Sequence, residues 1–119
     1  MIKKTIDYTD YNGVNKTIDA YFNMTEAEII KLEMSVHGGF KENIERAIAA
    51  EDGAIICDAF EKLIDLSYGV KTFDGGFAKK REDLEAFKAT PAYSKLFVEI
   101  VTSADKAGEF VNGIIPSAN

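Results

Sequence analysis

Cysteine and histidine, which build many catalytic and metal centres, are nearly missing from this sequence, which contains one of each and no tryptophan. The single cysteine, Cys57, excludes an internal disulfide and suits a reducing compartment. Without a cluster of cysteine and histidine, a structural zinc site is excluded as well. No apolar run approaches the roughly 20 residues that a membrane-spanning helix needs, and the N-terminus lacks the apolar run of a signal peptide. We therefore expect no disulfide, no zinc site and no membrane partner.

Basic residues are outnumbered by acidic ones, 14 to 20, so the formal net charge at pH 7 is −6. Nucleic-acid-binding proteins need a basic surface, and this balance argues against such a partner. The hydrophobic content of 46% and the charged content of 29% are typical of a globular protein. A chain of 119 residues can bury one hydrophobic core, and we expect a single domain over residues 1–119.

Each residue that could carry chemistry has a simpler structural explanation. His37 precedes Gly38 and Gly39 at a predicted helix end, where exposure or a contact with the helix dipole is expected. Cys57 lies beside an apolar helix face without a nearby histidine, which predicts a buried and inert thiol. The glycine pairs lack the Gly-Lys-Ser/Thr that would complete a phosphate loop. The sequence therefore predicts neither an enzyme nor a cofactor.

The segment 54–68 gives the strongest helix signal and is the predicted centre of the fold. Its apolar residues recur at the spacing of one helical face and are Ile55, Ile56, Ala59, Phe60, Leu63 and Ile64. Burying side chains of Ile, Leu and Phe size contributes roughly 1.5–3 kcal/mol each. We therefore expect the other elements to pack against this helix.

The N-terminal residues 1–22 predict a β-hairpin. Ile6 and Tyr8 alternate with polar residues, Asn12-Gly13 is a strong hairpin-turn signal, and alternation resumes through residues 18–22. Because a lone hairpin is only marginally stable, it should pack on the helices or pair with another strand. Its free edges would be docking sites for another copy or a partner. The alternative is that lysine and threonine side chains blunt these edges.

A helical region over 25–113 follows the hairpin. Thr25 and Glu28 form a capping box at its start, and Thr90-Pro91 is a favoured helix entry. The predicted helices are 26–36, 40–50, 54–68, 82–89, 92–102 and a last one from 103 to 111. Segment 70–78 predicts a second small hairpin or an ordered loop. The fold class is therefore α+β, a hairpin followed by a bundle of about five or six short helices, with a loose tail over 114–119.

Several short stretches along nearly the whole chain carry a resemblance to a known family. They are residues 8–13 (YTDYNG), 21–25 (YFNMT), 32–35 (LEMS), 67–69 (SYG), 92–93 with 96–97 (AY and LF), and 110–116 (FVNGIIP). Together they resemble the small tail assembly chaperones encoded by tailed phages and prophages of Gram-positive bacteria. None of these stretches is a catalytic signature.

The resemblance implies a non-enzymatic protein of the host cytoplasm that binds the long tape measure protein and keeps it soluble. Such proteins also help to recruit tail-tube subunits and leave the finished particle, and this chain would correspond to the short form of the family. Repeated contacts along the tape would favour self-association. The alternative from another class is a small structural protein of the virion, of the tail-completion or connector type.

Aromatic and apolar residues outside the regular helical stripes are the candidates for partner contact, because such residues are enriched in interface hot spots. They are Tyr11, Phe73, Phe77, Tyr93, Ile114 and Ile115. The alternative is that most of these side chains close the core over the loops.

Overall fold

A computed structural model, which describes residues 1–116, shows the predicted α+β fold. Within that range the N-terminal hairpin is followed by six helices, with a second, shorter hairpin between the third and the fourth. The strands are β1 (Ile2–Thr9), β2 (Asn15–Phe22), β3 (Tyr68–Lys71) and β4 (Phe77–Ala78). The helices are α1 (Glu26–Met34), α2 (Phe40–Ala49), α3 (Gly53–Ser67), α4 (Arg81–Lys88), α5 (Pro91–Val101) and α6 (Ala104–Ile114).

The hairpins join into one antiparallel sheet with the strand order β1-β2-β3-β4. β1 and β2 pair over their full length, whereas β2 and β3 pair only through Tyr21↔Gly69 and Phe22↔Tyr68. The first hairpin therefore gains both expected supports, since it packs on helices and also pairs with a third strand. The segment 70–78 is confirmed as a hairpin.

The two faces of the first hairpin differ in chemistry. Ile6, Ala20 and Phe22 are buried on the inner face. On the outer face, Thr5 donates a side-chain hydrogen bond to Asp19 at 2.7 Å, and Thr17 donates one to Asp7 at 2.6 Å. Each of these pairs lies directly across the two strands, so the solvent-facing side is held by polar cross-strand contacts.

Phe22, at the end of β2, is fully buried at the meeting point of sheet and helices. Its ring packs edge-on against the rings of Tyr68, Phe87 and Phe110, with centroid distances of 5.7, 6.2 and 5.2 Å. These three partners belong to β3, α4 and α6, so a single side chain contacts three other elements. Edge-to-face ring pairs of this kind contribute about 0.5–1.5 kcal/mol each beyond the area that they bury.

The central helix α3 is confirmed, with one correction to its buried face. Phe60, Leu63 and Ile64 are fully buried, but Ile55 is 48% exposed. Ile55 lies about 100° round the helix from its neighbour Ile56, which places it at the side of the buried face. Ser67 lies on the core side instead, and its hydroxyl donates to the Leu63 carbonyl at 2.6 Å, which satisfies this buried polar group.

The last helix is longer than its sequence predicts. The Asn112-Gly113 stop signal does not end α6, which continues to Ile114, and both Ile114 and Ile115 are buried. A Cβ built on Gly113 would lie 2.6 Å from Cγ2 of Ile2, so glycine lets α6 approach β1 closely. The predicted loose tail therefore does not begin at residue 114. Its last residues, 117–119, lie outside the described residues.

Replacing Phe22 by alanine should remove the contact that joins the sheet to α4 and α6. We expect Phe22→Ala to lower the free energy of unfolding by about 3–5 kcal/mol, the usual cost of deleting a buried ring. Urea denaturation followed by circular dichroism measures this loss. Phe73→Ala is the matched control, because Phe73 is fully exposed and its loss should stay within about 0.5 kcal/mol. Equal losses for the two variants would contradict the central position of Phe22.

Candidate partner-binding surface

The six candidate contact residues divide into two groups. Tyr11 and Phe73 are exposed, at 85% and 108% of their reference surface, and each lies in the turn of a hairpin. Phe77 and Tyr93 are half-buried, and Ile114 and Ile115 are buried. Of the six candidates, only Tyr11 and Phe73 therefore have their rings almost wholly exposed to solvent. We call the turns that carry them, 10–14 and 72–76, the two aromatic turns.

Tyr11 lies in the turn 10–14, which is closed by hydrogen bonds that Asp10 donates and accepts. The Asp10 N–H donates to the Val14 carbonyl at 2.9 Å, and the Gly13 N–H donates to the Asp10 carbonyl at 3.0 Å. The Asp10 carboxylate accepts from the N–H groups of Asn12 and Val14, both at 2.9 Å. Gly13 has a φ of +79°, which glycine adopts without strain. The Tyr11 ring takes no part in this network.

Phe73 lies in the turn 72–76, whose hydrogen bonds repeat this pattern. The Thr72 N–H donates to the Gly76 carbonyl at 2.9 Å, and the Gly75 N–H donates to the Thr72 carbonyl at 3.2 Å. The Thr72 hydroxyl accepts from the Gly76 N–H at 2.8 Å and donates to the Asp74 carboxylate at 2.5 Å. Gly75 has a φ of +87°. In both turns the aromatic residue follows the residue whose side chain closes the turn.

The strand register gives the direction in which the two aromatic turns extend. The turn 10–14 enters β2 at Asn15, and β2 ends at Phe22. Because Phe22 pairs with Tyr68 and the strands are antiparallel, β3 runs from that position back towards the start of β2. The turn 72–76, which follows β3, therefore extends in the same direction as the turn 10–14.

Ionised carboxylates stabilise both turns. The pKa of Asp10 is lowered from its ordinary value of 3.8, first by the hydrogen bond from Lys16 and then by the Val14 N–H. The same contact, at 2.9 Å, raises the pKa of Lys16. The pKa of Asp74 is also lowered from 3.8, chiefly by the hydrogen bond from the Thr72 hydroxyl. Both carboxylates are therefore charged at neutral pH.

The other four candidates contact the body of the protein. A Cβ built on Gly69 would lie 2.5 Å from the Phe77 ring, so this ring packs directly on β3. Tyr93 packs edge-on against Phe87 at 5.7 Å, and burial is the largest cause of the raised pKa of its hydroxyl. Ile114 and Ile115 lie in the core and Tyr93 packs against it, so these three side chains follow the alternative in which the candidates close the core.

Other exposed apolar residues were not singled out by sequence. Met34 is 83% exposed and Ile30 is 47% exposed, on one side of α1. A groove of about 220 Å³ between α2 and α3 has Phe40, Ile44 and Ile55 among its lining residues. The sequence did contain a signal for α1, because its apolar residues cover more than one helical face.

The residues considered for chemistry are not brought together. His37 is exposed, and Cys57 is a half-buried free thiol rather than the buried one predicted. Among residues 1–116, no three or more His, Cys, Asp or Glu side chains are grouped as metal ligands would be. In the same part of the chain, every helix is too short or too polar to cross a membrane.

The chain matches a known protein family over nearly its whole length. A family described as phage tail assembly chaperone matches residues 1–118 of this chain. No curated protein and no solved structure matches. The family match covers both aromatic turns and every described helix and strand.

The charge state of Asp10 should be visible in the turn 10–14. Because its folded pKa is lowered, the stabilisation that it gives is complete above 3.8 and is lost as the pH falls through the lower, folded value. We expect the amide signals of Asn12 and Val14 in NMR spectra to shift together with a midpoint below 3.8. In Asp10→Asn this transition should vanish. A midpoint above 3.8 in the unmodified protein would contradict the hydrogen-bonded turn.

Truncating Ile114 should destabilise the fold, because this last residue of α6 is buried in the core. We expect Ile114→Ala to lower the free energy of unfolding by about 2–5 kcal/mol. Phe73→Ser, by comparison, should unfold at the same urea concentration as the unmodified protein. If Ile114→Ala unfolds at the same urea concentration as the unmodified protein, Ile114 is again a candidate for partner contact.

Proposed function

Because the chain belongs to the phage tail assembly chaperone family, we propose that it binds a phage tape measure protein and keeps it soluble before the tail tube encloses it. In this role it also helps to recruit tail-tube subunits, and it is absent from the finished virion. It acts in the cytoplasm of the infected or lysogenic host and catalyses no reaction. The observation that carries this proposal is the family match over residues 1–118.

The physical need for such a protein comes from its proposed partner. A tape measure protein is long and helical and exposes apolar stripes until the tube surrounds it. Contiguous exposed apolar surface is an aggregation hazard. A bound protein that covers the stripes removes this hazard, provided that the complex itself stays soluble. The net charge of −6 on this chain supports that requirement.

The structure offers apolar side chains that such a partner could cover. Tyr11, Met34 and Phe73 are each more than four-fifths exposed, more than any other large apolar side chain of the described residues. These exposed side chains contribute nothing to the core, so binding can bury them without refolding. Self-association along the tape would add copies at high local concentration and belongs to the same proposal.

Co-expression tests the proposed role. The chain is produced together with the tape measure protein of the same genome, and a tag on the chain is used for purification. We expect a soluble complex, and an insoluble tape measure protein when an unrelated small acidic protein replaces the chain. If the tape measure protein stays insoluble with the chain present, the proposed function is wrong.

Mass spectrometry of purified virions separates a chaperone from a virion component. We expect tail-tube and tape measure peptides but no peptide of this chain. Its recovery at a constant ratio to the tail tube would favour the structural-protein alternative.

A further inference from the structure

We propose that the free edge of β1 pairs antiparallel with the same edge of a second copy of this chain, about a two-fold axis at Thr5. Self-association is part of the proposed function, and this inference rests on that function for its purpose. It goes further by assigning the surface, the register and the charges that determine them. It is tested on the purified chain, without any tail protein.

β1 is the long open edge of the sheet. The strand order β1-β2-β3-β4 places β1 and β4 at the two edges. β4 has two residues, whereas β1 has eight and pairs along its whole length with β2 on one side. An edge strand of this length presents a row of unpaired backbone groups, to which another strand can add.

The register shows which backbone groups of β1 face the open side. The Asp10 N–H donates to the Val14 carbonyl at 2.9 Å, so the backbone of Asp10 faces β2. Because this direction alternates along an antiparallel strand, the even-numbered residues of β1 also bond to β2. The residues whose N–H and carbonyl groups face the open side are Lys3, Thr5, Asp7 and Thr9.

Two further contacts agree with this assignment. The Asn23 N–H donates to the Ser67 carbonyl at 2.8 Å, so Tyr21, two residues earlier, also faces β3 and leaves its partner Lys3 unbonded to β2. The Lys95 ammonium on α5 donates to the Asp7 carbonyl. Within residues 1–116 this is the one hydrogen bond made to the outward groups of β1, and the carbonyl keeps a second lone pair for a partner's N–H.

The charges of β1 are complementary to those of a second copy. Lys3 and Asp7 are exposed on the outer face, and neither has an ion pair in the described part of the chain. On an extended strand they are about 13 Å apart, too far to contact each other. In an antiparallel pair centred on Thr5, Lys3 lies directly opposite Asp7 of the second copy, and the two-fold axis makes this contact twice. Opposite charges in this position stabilise strand pairing.

Other two-fold registers lack this complementarity. An axis at Lys4 would place the two Lys4 side chains together, and an axis at Asp7 would place the two carboxylates together. Like charges directly opposite each other destabilise a strand pair. An axis at Ile6 would bring no opposite charges face to face. With the axis at Thr5, the outward residues of one copy also meet outward residues of the other, so each such pair can exchange both backbone hydrogen bonds.

The lysine gives specificity in this arrangement. A lysine on an edge strand usually hinders pairing with other chains, which is the alternative in which the edge is blunted. A second copy removes that hindrance because it supplies Asp7 at the facing position. A strand without an acidic residue there would leave the lysine uncompensated, so the same side chain that rejects other strands accepts a copy of β1.

Sedimentation equilibrium of the purified chain tests the pairing. We expect a mass twice the 13.1 kDa of one chain. Lys3→Glu and Asp7→Lys should each raise the dissociation constant of the dimer about tenfold, because each places like charges opposite each other at two points. An equimolar mixture of these two variants should dimerise again, since the reversed charges then face each other. Unchanged dissociation constants in both variants would overturn the proposed register.

Two controls match these charge variants. Lys80→Glu changes the net charge equally, and Lys80 is exposed at the start of α4, away from β1 in the chain. Thr17→Val removes the hydrogen bond from the Thr17 hydroxyl to Asp7, which Asp7→Lys also removes, without changing the charge. Both controls should dimerise as the unmodified chain does.

Proline at the two-fold axis tests the backbone contact. Thr5→Pro removes an N–H that bonds to nothing within residues 1–116, and edge strands tolerate proline at such positions. Thr5→Val is the matched variant, because it also loses the hydroxyl bond to Asp19 but keeps the N–H. We expect Thr5→Val to dimerise and Thr5→Pro to stay monomeric, with circular dichroism showing that both are folded. Equal dimerisation of the two folded variants would contradict pairing through this edge.

Hydrogen exchange followed by NMR locates the interface. We expect the amides of Lys3, Thr5 and Asp7 to exchange about tenfold more slowly in the dimer than in the monomeric charge variants. A dimer in which these amides exchange as fast as in those variants uses another surface, and the proposal is overturned. Protection of these amides only in a complex with the tape measure protein would make an extended segment of that protein the occupant, and would also overturn it.

The outcomes separate this proposal from the proposed function. If the unmodified chain has the mass of one chain up to millimolar concentration but retains the tape measure protein in the co-expression assay, only the edge pairing is wrong, and the blunted-edge alternative is correct. If the chain dimerises through β1 but does not retain the tape measure protein, the edge pairing stands and the proposed function is wrong.

Discussion

The burial of Phe22 is the contact on which the rest of the structure depends. Its ring meets Tyr68 of β3, Phe87 of α4 and Phe110 of α6, so it fixes two strands and two helices at one point. Phe22 also pairs through its backbone with Tyr68, one of only two pairings between β2 and β3. This position sets the direction in which β3 leaves the core. The placement of the second aromatic turn is therefore a consequence of core packing far from the turn itself.

The core and the candidate surface use aromatic residues in opposite ways. Tyr68 and Phe87 stack with ring centroids 4.5 Å apart, and Tyr93 and Phe97 continue the cluster beside them. Rings in this cluster are held on several sides and resist displacement. Tyr11 and Phe73 lie in turns of the same sheet, and their exposed positions are set by backbone hydrogen bonds together with the side chains of Asp10 and Thr72. A rigid body that carries two exposed rings is suited to binding by contact rather than by rearrangement.

Features fixed by local chemistry could be predicted from sequence. Asn12-Gly13 and Asp74-Gly75 indicated both hairpins, and Thr25 with Glu28 forms the predicted capping box. The β2–β3 pairing joins residues far apart in sequence, and no local pattern encodes it. The same limit applies to the candidate surface. Tyr11 and Phe73 are exposed, but the burial of Ile114 depends on its packing among distant elements, and the Asn112-Gly113 stop signal is overridden where α6 meets β1.

The close approach of Ile2 to Gly113 has a consequence for how this protein is made. During translation the first strand emerges well before the helix against which it packs. Over that interval the inner face of the nascent hairpin, including Ile6 and Phe22, has no complete cover. At ordinary rates of synthesis the delay is on the order of ten seconds. A protein of a family that assists the assembly of others thus passes, on each ribosome, through a stage in which its own apolar surface is exposed.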